Sequence, residues 1–358
     1  MGKQVVGLKI GASSLAAACV EMNGEASLVQ IARAPMARGI VAEGEVRDVP
    51  ALVEALKAFF KEHKLPRRNV RVGIATNRVG VRTIELSAIA DRQQLANAVR
   101  FRAQEVLPIP VEEAVLDFHV LDERIDEEGI ARTRVVVVVA YRDLVEAFAA
   151  ACRQAGLRLL GVDLEAFALV RALAQPPEPT ASAQPSERSA LVAVGIGAER
   201  SILAVSDGST CEFTRVLPWG GTSLTVGLAG ALGIDAEDAE LLKRRVSLDV
   251  EELPEGLSPE EAGRARDALR TGLQGFAREL VSSLQFYQGQ PDSLGIREIV
   301  LAGGAAQLKG LAPTLQQLVG VAVRIGDPLV GVSVGKKLKG GVPDASLAVP
   351  IGLGIASS

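Results

Sequence analysis

Two glycine-rich segments come nearest in their spacing to a phosphate-binding motif. The segment 195–200, GIGAER, begins like the GxGxxG dinucleotide fingerprint, but it lacks the last glycine and leads into a predicted strand rather than a helix. The segment 331–337, GVSVGKK, is one residue too short for a P-loop and lacks its Ser or Thr. We therefore expect neither a Rossmann dinucleotide site nor a P-loop.

Side chains that commonly hold metals or act as nucleophiles are scarce. The two histidines, His63 and His119, offer no basis for a histidine metal site or a Ser-His triad. The three cysteines, Cys19, Cys152 and Cys211, are widely separated, so they indicate neither a disulfide framework nor a CxxC motif. This cysteine usage fits a reducing cytoplasm.

The elements that position any site belong to a globular chain of about two domains. The chain has 358 residues, of which 48% are apolar and 23% are charged, and its formal net charge is −4. The lack of a basic excess and the aromatic content of 3% argue against nucleic acid as a partner. The longest wholly aliphatic run, 135–140, is far too short to cross a bilayer.

The two halves of the chain open in the same way. Residues 5–16 (VVGLKIGASSLA) and 191–202 (LVAVGIGAERSI) each combine an apolar strand, a Gly-Ala turn and a second strand. A third strand is predicted at 27–34 and at 210–216, after an Asn-Gly and an Asp-Gly turn. The pattern indicates an internal duplication, although two unrelated hairpins would look the same.

Helices and a strand-rich insertion account for the rest of each half. Two helices are predicted at 49–62 and 259–288 from their apolar period. Three more have an expected N-cap: Asp143 for a helix at 144–155, Thr222 for a helix that ends at 232, and Asp235 for a helix at 236–245. The insertion has a strand at 79–86, a helix at 91–106 and a hairpin of 115–121 and 133–140, whose valines are predicted to be covered on both faces. The Pro/Ser/Ala-rich stretch 175–189 is predicted to connect the halves.

This order of segments resembles the actin-like ATPase superfamily and, in its finer details, the PilM family, the cytoplasmic actin-like proteins of type IV pilus machines. The segments that carry the resemblance are 39–48 (GIVAEGEVRD), 99–108 (VRFRAQEVLP), 155–157 (AGL), 162–172 (VDLEAFALVRA), 213–215 (FTR), 220–221 (GG), 238–243 (DAELLK) and 301–310 (LAGGAAQLKG). Together they span nearly the whole chain, and their order is more specific than any one of them.

The resemblance implies an α/β, ribonuclease H-like fold of two duplicated actin-like domains. The implied boundaries are 1–77 and 141–174 for domain I, 78–140 for an inserted SHS2-type strand-helix-strand-strand module, 175–189 for the linker, and 190–358 for domain II, with a helical subdomain at about 232–290. FtsA, the actin-like protein of cell division, resembles the chain in having the same module, but it ends in an amphipathic membrane helix. Residues 349–358 have no basic face and contain Pro and Gly, so we expect a closing apolar helix in the core.

The resemblance also implies a nucleotide site between the halves. In actin-like ATPases both glycine turns grip the phosphates through backbone N–H groups, and an Asp on each preceding strand holds hydrated Mg²⁺. Here Lys9 and Gly195 stand where the two Asp residues are expected, and neither residue offers a carboxylate to Mg²⁺. We therefore expect a pseudo-ATPase whose degenerate site binds ATP weakly or not at all, although an ordinary strand-edge lysine would look the same.

The other residues of this site are assigned through the resemblance. Glu165 falls at the position of the water-orienting Glu or Gln, and Lys9 would supply a point charge in place of the missing cation. Glu240 and Lys243 match the ribose and adenine contacts, although a surface ion pair has the same spacing. The turns themselves contribute Gly11, Ala12, Ser13, Ser14, Gly197, Ala198, Gly303, Gly304 and Ala305.

PilM-like proteins receive the N-terminal cytoplasmic segment of a bitopic membrane protein, PilN, in a groove beside the inserted module. The resemblance implies a similar groove here, with the candidates Arg100, Phe101, Gln104, Val106, Leu107 and Ile109. For Phe101, Val106 and Leu107, ordinary packing in the core of the module is the competing interpretation.

The sequence thus predicts a cytoplasmic actin-like scaffold of the type IV pilus assembly platform, held at the inner membrane by its partner rather than by an anchor of its own. Pilus motor ATPases and further copies of the chain are additional expected contacts. The alternatives are an active ATPase of the same fold in a pilus or a related secretion system, an FtsA-like division scaffold, and a sugar or acyl-phosphate kinase of the same superfamily.

Overall fold

The computed structural model describes residues 3–89, 91–106, 110–125, 129–174, 189–208, 210–248, 254, 256–290 and 293–355. Two large β-sheets, a three-stranded sheet and a two-stranded hairpin organise this part of the chain. Of the helices in these ranges, none is long and apolar enough to cross a membrane.

The first large sheet contains β1 (Lys3–Ile10), β2 (Ser14–Asn23), β3 (Glu25–Pro35), β6 (Val70–Ile74), β10 (Leu159–Leu164) and β16 (Ser333–Lys339). Its strand order is β10-β6-β1-β2-β3-β16, with β1 to β3 as an antiparallel meander and β6 parallel to β1. The hairpin of β4 (Val41–Ala42) and β5 (Glu45–Val46) precedes α1 (Val49–Glu62), and α3 (Arg142–Gln154) follows later in the chain. The apolar faces of α1 and α3 join one buried cluster with β1 and β6.

The second large sheet repeats this arrangement. It contains β11 (Ser189–Ile196), β12 (Ser201–Ser206), β13 (Cys211–Leu217), β14 (Gly295–Ala302) and β15 (Ala322–Ile325), in the order β13-β12-β11-β14-β15. Here too an antiparallel meander is extended by parallel strands beside its first strand. The predicted internal duplication is therefore confirmed. The helices of this half are α5 (Gly221–Leu232), α6 (Ala236–Lys243), α7 (Pro259–Gln288) and α8 (Leu311–Val319).

The inserted module is a three-stranded sheet covered by one helix. It consists of β7 (Val79–Ser87), α2 (Arg92–Val106), β8 (Ala114–Ile125) and β9 (Ala131–Tyr141), with strand order β7-β9-β8. Val135 and Val137 pack with Val99 of α2, whereas Val136 lies in the core of the first half. Both faces of β9 are therefore covered, as its run of valines predicts.

Two helices, α4 (Glu165–Leu173) and α9 (Ala348–Ile355), pack closely against each other between the large sheets. A Cβ added at Gly352 would lie 1.9 Å from the carbonyl oxygen of Ala168, so this close crossing requires glycine. Arg71 Nη1 and Arg171 Nε each donate at 3.0 Å to carbonyls in the last turn of α9. The expected closing apolar helix in the core is confirmed.

The end of the chain differs from the predicted domain division in one respect. Strand β16 pairs with β3, and α9 packs on β1, so both return to the first half although 190–358 was assigned to the second. The pairing is favourable because β16 covers one edge of the first sheet.

Helix starts follow the sequence signals at some positions and depart from them at others. Asp235 caps α6 through the amides of Glu237 and Asp238, as predicted, and α7 has its predicted bounds. The expectation for Asp143 is wrong, because α3 begins at Arg142 without a side-chain cap and Asp143 binds Arg78 instead. The expectation for Thr222 is also wrong, because α5 begins at Gly221.

Candidate functional site

The two glycine turns have the same local geometry. The amide of Gly11 donates to the carbonyl of Ser14 at 3.0 Å, and the amide of Gly197 donates to that of Arg200 at 2.9 Å. In each turn the amide of the first residue thus donates to the carbonyl of the fourth, and this bond closes the turn between the first two strands of the meander. In the first turn, the carbonyl of Ser13 also accepts from the amide of Met36 at 2.9 Å.

Lys9 and Glu165, which are 156 positions apart in the sequence, form an ion pair beside the first turn. The Lys9 Nζ lies 3.2 Å from Glu165 Oε2, and the side chains are only 17% and 6% exposed. Gly73 pairs with Lys9 across the sheet, and a Cβ at Gly73 would lie 2.9 Å from Glu165 Cγ. The absence of a side chain at Gly73 thus gives Glu165 room to approach the ammonium group.

Gly195 is the position in the second half that matches Lys9, and the side chain of Leu169 lies next to it. A Cβ added there would lie 2.8 Å from Leu169 Cδ1 of α4. A carboxylate side chain has room at this position only if the buried side chain of Leu169 moves.

The residues at the two positions therefore do not fit Mg²⁺. A hard dication requires carboxylate or water oxygens, whereas Lys9 presents a positive charge and Gly195 faces an aliphatic side chain. Glu165, the carboxylate beside Lys9, is already paired with the Lys9 ammonium group. In the described ranges, no group of three or more His, Cys, Asp or Glu residues has the arrangement of a metal site.

Lys243 and Glu240 lie in a hydrogen-bonded network at the start of α5, in which Lys243 is buried and Glu240 is half-buried. Lys243 Nζ contacts Gly221 O at 3.0 Å, Thr225 Oγ1 at 2.8 Å and Glu240 Oε2 at 2.5 Å, so its three donors are all satisfied. Burial alone would raise the pKa of Glu240, but hydrogen bonds from Lys243 and Thr225 hold it below its usual value. The pair is more than the solvated surface pair that its spacing also allowed.

The third predicted turn, Gly303-Gly304-Ala305, meets the second turn. Gly303 has φ +91°, and a Cβ there would lie 2.3 Å from the carbonyl oxygen of Ile196, so only glycine fits. Ala305 is close to Gly221, whose added Cβ would lie 3.2 Å from that of Ala305. Gly304 begins a short 3₁₀ turn.

The start of α5 joins these turns into one site. The carbonyls of Gly197 and Ala198 accept from the amides of Gly221 and Thr222 at 2.9 and 2.8 Å. Gly220 and Gly221 were recognised only as part of a motif and not as site residues, although a Gly-Gly pair after a strand is a signal of close backbone approach. The site of the second half is thus assembled from two turns, 197–200 and 303–305, and the N-terminus of α5.

Arg200 is a further site residue that was not predicted from the sequence. It ends the second turn, and its Nη1 donates to the carbonyl of Ala75 in the first half at 3.2 Å. No motif distinguishes it in the sequence, because its partner lies 125 residues away.

Beside the module there is a cavity of about 490 Å³. The residues that line it are Arg100, Gln104, Glu112, Ala114, Val115, Leu116 and Arg142. Arg100 and Gln104 were predicted for the groove, whereas the contributions of β8 and α3 were not. Arg142 also donates to the carbonyl of Ala114 at 2.6 Å, which ties α3 to the edge of the module.

The other predicted groove residues have different outcomes. Phe101 is 67% exposed, so the competing interpretation of this side chain as core is wrong. The side chain of Val106, together with Leu107 and Ile109, lies outside the described residues, and their assignment stays a prediction.

Comparison with known proteins gives one family and several relatives. The model of a family described as type IV pilus assembly protein PilM matches residues 7–356. The cell division protein FtsA of Escherichia coli strain K12 is 25% identical over an alignment of 366 positions, which covers 91% of this chain and 84% of FtsA.

Solved structures agree with this relationship. The structure of a PilM-PilN type IV pilus biogenesis complex is similar over 99% of this chain and 98% of the matched chain, with a TM-score of 0.79 and 27% identity. The ethanolamine utilization protein EutJ from Carboxydothermus hydrogenoformans, with 16% identity and a TM-score of 0.58 over 99% of this chain and 90% of EutJ, shares the fold. Because the family match spans nearly the whole chain, this chain belongs to the type IV pilus assembly protein PilM family, and its α/β fold is actin-like, as the sequence predicts.

Proposed function

We propose that this chain is a scaffold of the type IV pilus inner-membrane platform and binds the N-terminal cytoplasmic segment of a PilN-like membrane protein. The observation that carries the proposal is the cavity beside the module, which includes Arg100 and Gln104 of the predicted groove. The resemblance of the chain to a protein solved in a PilM-PilN complex supports the same partner. The chain would then act on the cytoplasmic side of the inner membrane and be held there by the partner.

The cavity has a surface suited to a short peptide segment. Its lining combines polar side chains, Arg100 and Gln104 of α2, with apolar side chains, Val115 and Leu116 of β8. Phe101, the residue after Arg100 on α2, adds an exposed ring on the same helix. An exposed aromatic side chain beside a cleft is a common anchor point in protein interfaces.

A second part of the proposal is that the nucleotide site is degenerate. The Lys9–Glu165 ion pair and the lack of space for a side chain between Gly195 and Leu169 support it, because the two expected positions then offer no pair of carboxylates to Mg²⁺. Without a divalent cation at the phosphates, the charge of a transferring phosphoryl group is poorly stabilised. The chain is then a pseudo-ATPase, and ATP binding is weak and indifferent to Mg²⁺.

Peptide binding tests the scaffold role. A fluorescent synthetic peptide of the N-terminal segment of the PilN-like protein encoded by the same organism is titrated with the full chain, and anisotropy is recorded. Arg100→Ala and Phe101→Ala should each weaken binding about tenfold, the effect of losing a contact worth about 1.4 kcal/mol.

Two matched controls accompany these variants. Arg102→Ala changes an exposed arginine of the same helix that pairs with Glu105, and Phe286→Ala removes an exposed ring from α7 of the other half. Both should bind the peptide as the parent does. Absence of binding by the parent, or equal losses in all four variants, would refute the proposed groove.

Calorimetric titration with ATP, with and without Mg²⁺, tests the degenerate site separately. Weak or absent binding that Mg²⁺ does not change is the expected result. Tight binding enhanced by Mg²⁺ would restore the alternative of an active ATPase.

A further inference from the structure

The turn that ends in Arg200 makes two contacts across the cleft with the first half. Arg200 Nη1 donates to the carbonyl of Ala75 at 3.2 Å, directly after β6. The neighbouring residue, Glu199, accepts through Oε2 from the amide of Glu43 at 3.3 Å. Adjacent residues of one turn thus form bonds of opposite polarity with the backbone of the other half.

Gly44 provides the space that the guanidinium group of Arg200 occupies. Its φ is +71°, and an added Cβ would lie 2.1 Å from the carbonyl oxygen of Ala75 and 2.7 Å from Arg200 Nη1. A side chain at this position would collide with both groups of the cross-cleft bond. The acidic turn 43–45 therefore leaves room for Arg200, which comes from the other half.

The charges around Arg200 favour its position. Burial lowers the pKa of Arg200, and the carboxylates of Glu199, Glu43, Glu165 and Glu45 act in the opposite direction. Of these, Glu43, Glu45 and Glu165 belong to the first half, so their attraction for Arg200 draws the two halves together across the cleft.

We propose that Glu199 and Arg200 are a latch that holds the two halves closed in the absence of nucleotide. Both contacts of the latch are made by groups of the protein itself. The inference goes beyond the proposed function, since it depends on neither the pilus partner nor the outcome of ATP binding.

The distance between the halves is the quantity that tests the latch. Spin labels are placed at Lys57→Cys on α1 and Glu237→Cys on α6, both exposed sites, and the distance distribution is measured by pulsed electron resonance without nucleotide. The native cysteines are buried, and burial raises the pKa of Cys19 to about 11 and of Cys152 and Cys211 to about 12, so their thiols react slowly.

The latch predicts one narrow distribution in the parent and a broader distribution with a longer mean in Arg200→Ala. Glu199→Ala, which changes an exposed side chain, should give the same shift and serves where Arg200→Ala fails to fold. Arg278→Ala, an exposed arginine of α7, is the matched control and should leave the distribution unchanged.

Two results would overturn the latch. One is a distribution in Arg200→Ala and Glu199→Ala that equals that of the parent. The other is a parent that is broad without nucleotide and narrows only when ATP is added. Both results concern the distance alone, so they are distinct from a failure of peptide binding.

Discussion

Removal of the ammonium group of Lys9 tests whether Lys9 and Glu165 are a buried ion pair in the place of a metal site. The two groups are 3.2 Å apart, and Glu165 is only 6% exposed. The variant Lys9→Met keeps most of the length of the side chain and removes its charge. Glu165 is then left as an unpaired carboxylate between the two halves.

The magnitude follows from the separation and the burial. Two unit charges 3.2 Å apart attract each other by about 5 kcal/mol at an effective dielectric constant of about 20. Desolvation of both ions offsets part of this attraction, and removal of one partner from a buried pair typically costs about 3–5 kcal/mol. Because Lys9 retains 17% exposure, we expect the lower end, about 3 kcal/mol.

The assay is guanidinium denaturation followed by far-UV circular dichroism, fitted with separate transitions if the halves unfold separately. The set consists of Lys9→Met, Glu165→Gln and the double variant, so that the coupling energy between the two residues is measured directly. Lys61→Met, an exposed lysine in the last turn of α1, is the matched control. Its free energy of unfolding should change by less than about 0.5 kcal/mol.

Two outcomes would refute this reasoning. If Lys9→Met costs no more than the Lys61→Met control, the pair contributes nothing to stability. If the double variant is destabilised by the sum of the two single effects, the residues act independently and do not form the proposed pair.

Three further predictions concern the same cleft. Lys9→Asp places a carboxylate next to Glu165, so millimolar Mg²⁺ should raise the denaturation midpoint of this variant and leave that of the parent unchanged; an equal response in both would contradict the assignment. Gly195→Asp should lower the free energy of unfolding by about 1–3 kcal/mol, because the added side chain meets Leu169. Gly295→Asp, whose side chain enters open space, should leave the free energy of unfolding unchanged. Calorimetry should show no gain of Mg²⁺-dependent ATP binding in either variant. The lowered pKa of Glu240 stabilises the folded chain above the usual carboxyl pKa of 4.5, and this contribution is lost as the pH falls through the folded-state pKa. Denaturation at pH 7 and at acidic pH should therefore show a smaller loss of stability in Glu240→Gln than in the parent, and identical losses would show that the carboxylate is not involved.

Local patterns in the sequence determined most of the elements. The bounds of α7 follow from its apolar period and from the Ser-Pro-Glu-Glu start, since a capping box needs only neighbouring residues. The valine run of β9 was covered on both faces because a continuous apolar strand has no polar face to present to solvent. The matching turns of the two halves predicted the duplication for the same local reason.

The predictions from local sequence were wrong where distant residues form the stronger contacts. Asp143 has the right type and position for a cap, but Arg78 binds both of its carboxylate oxygens at 2.8 and 2.9 Å. The return of β16 to the first sheet depends on a free edge at β3, which the local pattern of 333–339 does not reveal.

Sequence and tertiary structure each determined part of the chemistry of the cleft. The sequence, through its resemblance to actin-like ATPases, placed Lys9 and Gly195 at the positions where Asp is expected, and so predicted a degenerate site. Only the tertiary structure decided that Lys9 pairs with Glu165 and that Arg200 crosses to Ala75. These contacts join residues more than a hundred positions apart, and the packing of α4 and α9 between the two sheets sets which side chains meet.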